Sequence, residues 1–151
     1  MTPVILLVED NDDDAELTAR AFTEAKIENP LCHVRDGVEA LDYLFRRGQY
    51  SDRAEGNPAV VLLDLKLPRV DGIQVLEAVK KDESLRAVPV VMLTASREEK
   101  DLVRSYSLGA NAYVVKPVAF KDFLDAIQDL GVFWAVLNEP PPGSLKPRRA
   151  P

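Results

Sequence analysis

The chain has a single cysteine, Cys32, among 151 residues, so neither an intramolecular disulfide nor a cysteine-based zinc site can form. Its neighbour His33 is the sole histidine, which leaves at most one candidate for a histidine metal centre or a histidine–carboxylate triad. Long apolar runs are missing too. Val4–Val8 and Val90–Leu93 fall far below the roughly 20 residues of a membrane-spanning helix. No basic region followed by an apolar stretch and a cleavage site opens the chain, and a cytoplasmic location is expected. Basic charge is scarce as well: the net charge is −6 and the pI about 4.9, and the one basic cluster, Lys146 with Arg148 and Arg149, sits in a proline-rich tail. A general nucleic-acid surface needs clustered Lys and Arg and is excluded on that ground. A membrane partner is not expected either.

Short apolar runs alternate with longer amphipathic stretches. Val4–Val8, Ala59–Leu63, Val88–Leu93 and Tyr113–Val115 are rich in β-branched residues and too short for helices. Continuous apolarity of this kind suits strands buried on both faces of a parallel sheet. Leu31–Arg35 is more polar and is expected at an edge. Between the runs, Leu17, Ala21 and Ala25 mark a helix over Asp12–Ala25, with acids in its first turn where the helix dipole favours them. Val38, Leu41 and Leu44 mark a second, opened by Asp36-Gly37. Ile73, Leu76 and Val79 mark a third behind Asp71 as N-cap. Leu102, Val103 and Tyr106 mark a fourth that ends at Gly109. Phe120, Phe123, Leu124, Ile127 and Leu130 mark the fifth. Five strand–helix pairs in alternation imply an α/β fold, a parallel sheet with helices on both faces. The polar segment Arg46–Asn57 exceeds the usual connection of about 4–6 residues and reads as an exposed loop, functional or merely tolerated. One domain is expected over 1–138, with a flexible proline-rich tail over 139–151.

In an open parallel sheet the functional crevice lies beyond the carboxyl ends of the strands. Glu9 and Asp10 follow the first run, Asp64 the third, Thr94-Ala95-Ser96 close the fourth, and Lys116-Pro117 follow the fifth. Taken singly, an Asp closing a strand is ordinarily a turn or cap residue, and Asp12, Asp13 and Asp14 read as acids favouring a helix start. The conjunction at four separate strand ends is what points to chemistry. Two like charges about 4 Å apart repel by roughly 4 kcal/mol at an effective dielectric near 20. Three carboxylates with only Lys116 to offset them therefore suit a divalent cation with hard oxygen ligands. Such a cation leaves positions open for phosphate oxygens and screens an Asp nucleophile from an incoming phosphoryl donor.

Val8-Glu9-Asp10-Asn11, Leu63-Asp64-Leu65-Lys66-Leu67-Pro68 with Asp71-Gly72, then Thr94-Ala95 and Lys116-Pro117 resemble the response-regulator receiver domains of two-component signalling, over about residues 3–131. The resemblance implies the flavodoxin-like receiver fold, a doubly wound five-stranded sheet in the order 2-1-3-4-5. It implies that Asp64 accepts a phosphoryl group from a sensor histidine kinase, and that Asp10, Asp64 and the Lys66 carbonyl hold Mg²⁺ with Glu9 assisting through water. Thr94 and Lys116 are implied to bind the phosphoryl oxygens, Tyr113 to be the aromatic switch, and the Lys116–Pro117 bond to be cis. Glu9 stands where many members have Asp. Too few residues follow the fifth helix for an output domain, so a stand-alone receiver is expected, similar to the regulators paired with bacterial phytochrome histidine kinases.

Two other readings compete. A Mg²⁺-dependent phosphatase of the haloacid-dehalogenase type wants an Asp two residues after the nucleophile, where Lys66 stands. A receiver-like module that is never phosphorylated typically loses the acceptor or the acidic pair, and both are kept here. Phe133, Trp134, Val136 and Leu137 extend the apolar character of the fifth helix. They either cap the protein's own core or pack against a second copy, and a homodimer built on the fourth and fifth helices and fifth strand is expected.

Overall fold

The computed structural model describes residues 4–24, 27–54, 56–95, 99–116 and 121. Five strands, β1 Ile5–Val8, β2 Leu31–Val34, β3 Val60–Leu63, β4 Val90–Thr94 and β5 Ala112–Val115, form one sheet in the order β2-β1-β3-β4-β5. Every pairing is parallel. The connecting helices are α1 Asp12–Glu24, α2 Gly37–Leu44, α3 Gly72–Lys81 and α4 Glu99–Ser107. Order and class are those expected for the receiver fold. The expected fifth helix, its apolar extension and the tail lie outside the described residues.

Side chains alternate across each strand, and the core divides accordingly. Leu6, Val8, Val61, Leu63, Val90 and Met92 pack with α2 and α3 through Ala40, Leu44, Val75, Leu76 and Val79. Ile5, Leu7, Val60, Leu62, Val91 and Leu93 face the other way, against Ala15 and Phe22 of α1. β1 and β3 are buried along their whole length while β2 is only partly covered, which explains why two runs are wholly apolar and Leu31–Arg35 is not.

The helix starts are chemically fixed. The Glu39 N–H donates to Asp36 Oδ1 at 2.8 Å and caps α2. Asp71 and Gln74 form a reciprocal capping box on α3, at 2.9 and 3.0 Å. Gly109, just past α4, takes φ +104°, where a side chain would be strained.

Two helical faces differ from the sequence reading. Leu17 is exposed; α1 buries Ala21 as expected, together with Ala15, Thr18 and Phe22. The Thr18 hydroxyl tolerates burial because it donates to the Asp14 carbonyl at 2.9 Å. On α4, Leu102 and Tyr106 are exposed while Ser105 is buried. The Arg46–Asn57 segment is also more than an exposed loop. It contains a 3₁₀ turn, Gly48–Tyr50, and is pinned to the end of α2 by Arg53. That guanidinium lies 4.3 Å from the Tyr43 ring centroid and donates to the Tyr43 carbonyl at 2.7 Å. Among the described residues, no helix is long and apolar enough to cross a membrane.

Candidate functional site

Parallel register brings the strand ends together. Val8 pairs with Leu63 and Thr94 with Val115, so the residues that follow β1 and β3 emerge side by side, and those that follow β5 at the same carboxyl edge one strand further on, beyond β4. The Asp64 N–H donates to the Val8 carbonyl at 3.1 Å, and the Glu9 N–H to the Val34 carbonyl at 3.0 Å. Those ladder bonds fix the backbones on which the acids stand. Glu9 is 1% exposed and Asp64 7%, whereas Asp10 is exposed. One carboxylate oxygen from each of the three lies within 4.8 Å of the others.

Lys116 reaches into this cluster from the end of β5. Its Nζ lies 2.6 Å from Glu9 Oε1, 2.8 Å from Asp14 Oδ2 and 2.9 Å from Asp64 Oδ2. The other oxygens are engaged locally. Asp64 Oδ1 accepts the Lys66 N–H at 3.2 Å, and Glu9 Oε2 accepts the Asn11 N–H at 3.1 Å. His33 Nε2 lies 2.7 Å from the Glu9 carbonyl oxygen, and so supports the backbone of the acidic pair from β2.

Electrostatics follow from burial and neighbours. Burial pushes the Glu9 carboxyl from 4.5 up to about 7; the Asp64 charge adds to the rise, and Lys116 and the Asn11 N–H oppose it. Burial alone would lower the Lys116 ammonium, yet its hydrogen bonds with Asp14, Glu9 and Asp64 raise it above its ordinary value. Lys116 is thus cationic throughout the working range and still leaves an acidic surplus, since Asp10 stands beside three acids already sharing one ammonium.

That surplus fits a divalent cation. Opposite oxygens on Mg²⁺ are about 4.2 Å apart, from ligand distances of about 2.1 Å, and the cluster within 4.8 Å needs little adjustment to close on it. The donors are hard carboxylate oxygens, with no sulfur or imidazole among them, which matches Mg²⁺ or Mn²⁺ rather than a softer metal.

The expected residues are placed as follows. Glu9, Asp10, Asp64 and Lys116 converge, and the Lys66 backbone borders Asp64. Tyr113 lies on β5 opposite Met92 and is partly buried against the α2–α3 side of the core. Thr94 closes β4, but its side chain, like Ser96 and Pro117 with the expected cis bond, lies outside the described residues. Asp14 is the member that the sequence reading missed. In sequence it is one of three acids at a helix start, and its position four residues after Asp10, on the first turn of α1, sets it above the same strand ends.

This sheet, with its acidic cluster and lysine at the carboxyl edge, defines a phosphoryl-receiving signalling class, and the chain belongs to the response regulator receiver domain family, whose model matches residues 5–128. The bacteriophytochrome response regulator RtBRR is 62% identical, with a TM-score of 0.84 over 95% of this chain and 87% of that one. The probable methanogenesis regulatory protein FilR2 of Methanothrix harundinacea is 42% identical over 91% of this chain and 87% of its own length. Response regulator Rcp1 of Synechocystis is 38% identical over 87% of this chain and 88% of its own. The Mn²⁺-bound structure of Rcp1 aligns with a TM-score of 0.74 over 97% of this chain and 99% of that one.

Proposed function

We propose that Asp64 is the phospho-acceptor of this receiver and that its donor is a sensor histidine kinase of the bacterial phytochrome type. The observation that carries the reading is the buried Asp64 carboxylate held 2.9 Å from the Lys116 ammonium, in a cluster with acid to spare for a cation. An Asp64 oxygen forms the new bond to phosphorus as the bond from phosphorus to the kinase histidine nitrogen breaks; the nitrogen keeps the electron pair. Lys116 neutralises charge on the transferred group as it settles on Asp64. Asp10, Asp64 and the Lys66 carbonyl would hold Mg²⁺, with Glu9 reaching it through water. When bound, that cation supplies charge neutralisation for the acid cluster and the phosphoryl oxygens. Thr94 takes the role of a phosphoryl-oxygen ligand and Tyr113 that of the switch residue, which signals through protein–protein contacts.

The phytochrome pairing rests on the 62% identity with a bacteriophytochrome response regulator. The encounter with the kinase belongs in the cytoplasm. Self-association through α4, β5 and the segment that follows is supported by the exposed Leu102 and Tyr106 on α4. Residues 1–138 then act as one receiver unit and 139–151 as a tail.

Incubation with a small-molecule phosphodonor and Mg²⁺, followed by intact-mass measurement, tests the reading. One added phosphoryl group per chain, suppressed by chelation, is expected. Many-fold release of phosphate would identify a phosphatase, and a chain that never gains mass a binding module.

A further inference from the structure

We propose that Asp14 is a positioning residue for the phosphoryl switch: it holds Lys116 in the unphosphorylated state and releases it when a phosphoryl group arrives on Asp64. An ammonium has three N–H donors, and all three are occupied, by Glu9 at 2.6 Å, Asp14 at 2.8 Å and Asp64 at 2.9 Å. A phosphoryl oxygen can be bound by Lys116 only if one of these carboxylates lets go. The three differ in what release costs them. The Glu9 side chain is 1% exposed and that of Asp64 9%, while that of Asp14 is 36% exposed. A carboxylate freed into water is rehydrated, whereas buried Glu9 would lose its ammonium with no water to replace it, and Asp64, which carries the phosphoryl group, stays beside Lys116. Asp14 is therefore the exchangeable partner.

Its local chemistry keeps it available for this part. α1 is capped by Asn11, whose Oδ1 accepts the Asp14 N–H at 2.9 Å. In a capping box the carboxylate at that third position would bend back to the N-cap N–H. Here Glu9 Oε2 has already taken the Asn11 N–H, at 3.1 Å. The Asp14 side chain is thereby released from capping and turns to Lys116. Anchored on the helix, it sets the unphosphorylated position of the ammonium without itself meeting the reacting atoms.

The inference rests on the receiver reading, and its test separates the two. Beryllofluoride with Mg²⁺, a non-transferable mimic of the phosphoryl group, is titrated into the full-length protein and its affinity measured by calorimetry for wild type, Asp14→Ala, Lys116→Ala and the double variant. Asp14→Ala is expected to bind the mimic about threefold to tenfold tighter than wild type, as expected for removing a partly exposed competitor of one charged hydrogen bond. In the Lys116→Ala background the same substitution should change nothing. Asp14→Asn, which keeps the side-chain shape, should fall between Asp14→Ala and wild type and guards against a folding defect in the alanine variant. Equal or weaker binding by both Asp14 variants would overturn the proposal. So would a gain that persists without Lys116, because it would be a through-space charge effect. A wild type that does not bind the mimic at all would overturn the receiver reading together with this one.

Discussion

The Lys116 ammonium and the Asp64 carboxylate, 52 residues apart in sequence, stand 2.9 Å from each other at the carboxyl edge of the sheet. Neither is a surface charge: their side chains are 10% and 9% exposed. The pair joins the end of β5 to the end of β3, so whatever changes the charge on Asp64 is felt directly by the strand that carries Tyr113.

Lys116→Ala should separate accepting the phosphoryl group from responding to it. Asp64 remains the nucleophile, so the variant is expected to gain a phosphoryl group while showing little of the wild-type change in conformation or partner affinity. Removing one partner of a buried ion pair costs about 3–5 kcal/mol when the other stays charged, and a loss of stability toward that range is expected in urea at neutral pH. A full conformational response in the phosphorylated variant would contradict the role given to Lys116.

Glu9 predicts a pH dependence. Its carboxyl rises from 4.5 to about 7 in the folded protein, so the fold binds that proton more tightly than the unfolded chain does. The resulting stabilisation is fully present below pH 4.5 and is lost as pH rises through about 7. Urea denaturation in a chelator should show this loss, and Glu9→Gln should flatten it. Divalent-cation affinity should run in the opposite direction and increase over the same window, because the ligand set must be ionised.

Gly37 opens α2 against the loop that follows Asp64. A Cβ there would lie 1.9 Å from the Val70 carbonyl oxygen, backbone that cannot swing aside as a side chain could. Gly37→Ala is expected to destabilise by about 1–3 kcal/mol or more, as overpacking does, and thermal denaturation would register it.

Arg53 should matter to stability and not to phosphoryl chemistry. Its contacts to the Tyr43 ring and carbonyl combine a cation–π interaction with a charged hydrogen bond. Arg53→Ala is expected to cost about 1–3 kcal/mol and leave the rate of phosphorylation by a small donor unchanged. A large fall in that rate would give the Arg46–Asn57 segment a functional part.

Much of this arrangement was legible in the sequence because the strands are buried on both faces. Val4–Val8 and Ala59–Leu63 must be wholly apolar, so the first charged residue after each run marks the carboxyl edge, and Glu9, Asp10 and Asp64 announce themselves. Polar Leu31–Arg35 was an edge strand for the same reason in reverse. Helix faces were less legible. Leu17 looked like a core position, but the helix buries Ala15, Thr18, Ala21 and Phe22, and Thr18 is hidden as a core residue because the Asp14 carbonyl one turn back accepts its hydroxyl. Asp14 was illegible for a different cause: its partner lies 102 residues away, and no local pattern distinguishes an acid that favours a helix start from one that also holds a lysine.

The central claim is tested most directly by phosphotransfer from a cognate histidine kinase to wild-type protein and to Asp64→Asn, followed by intact-mass measurement with Mg²⁺ present and after chelation. Wild type should gain one phosphoryl group in Mg²⁺ and little without it, and Asp64→Asn should gain none in either condition. Normal labelling of the Asn variant would contradict the assignment of Asp64 and with it the account of the site.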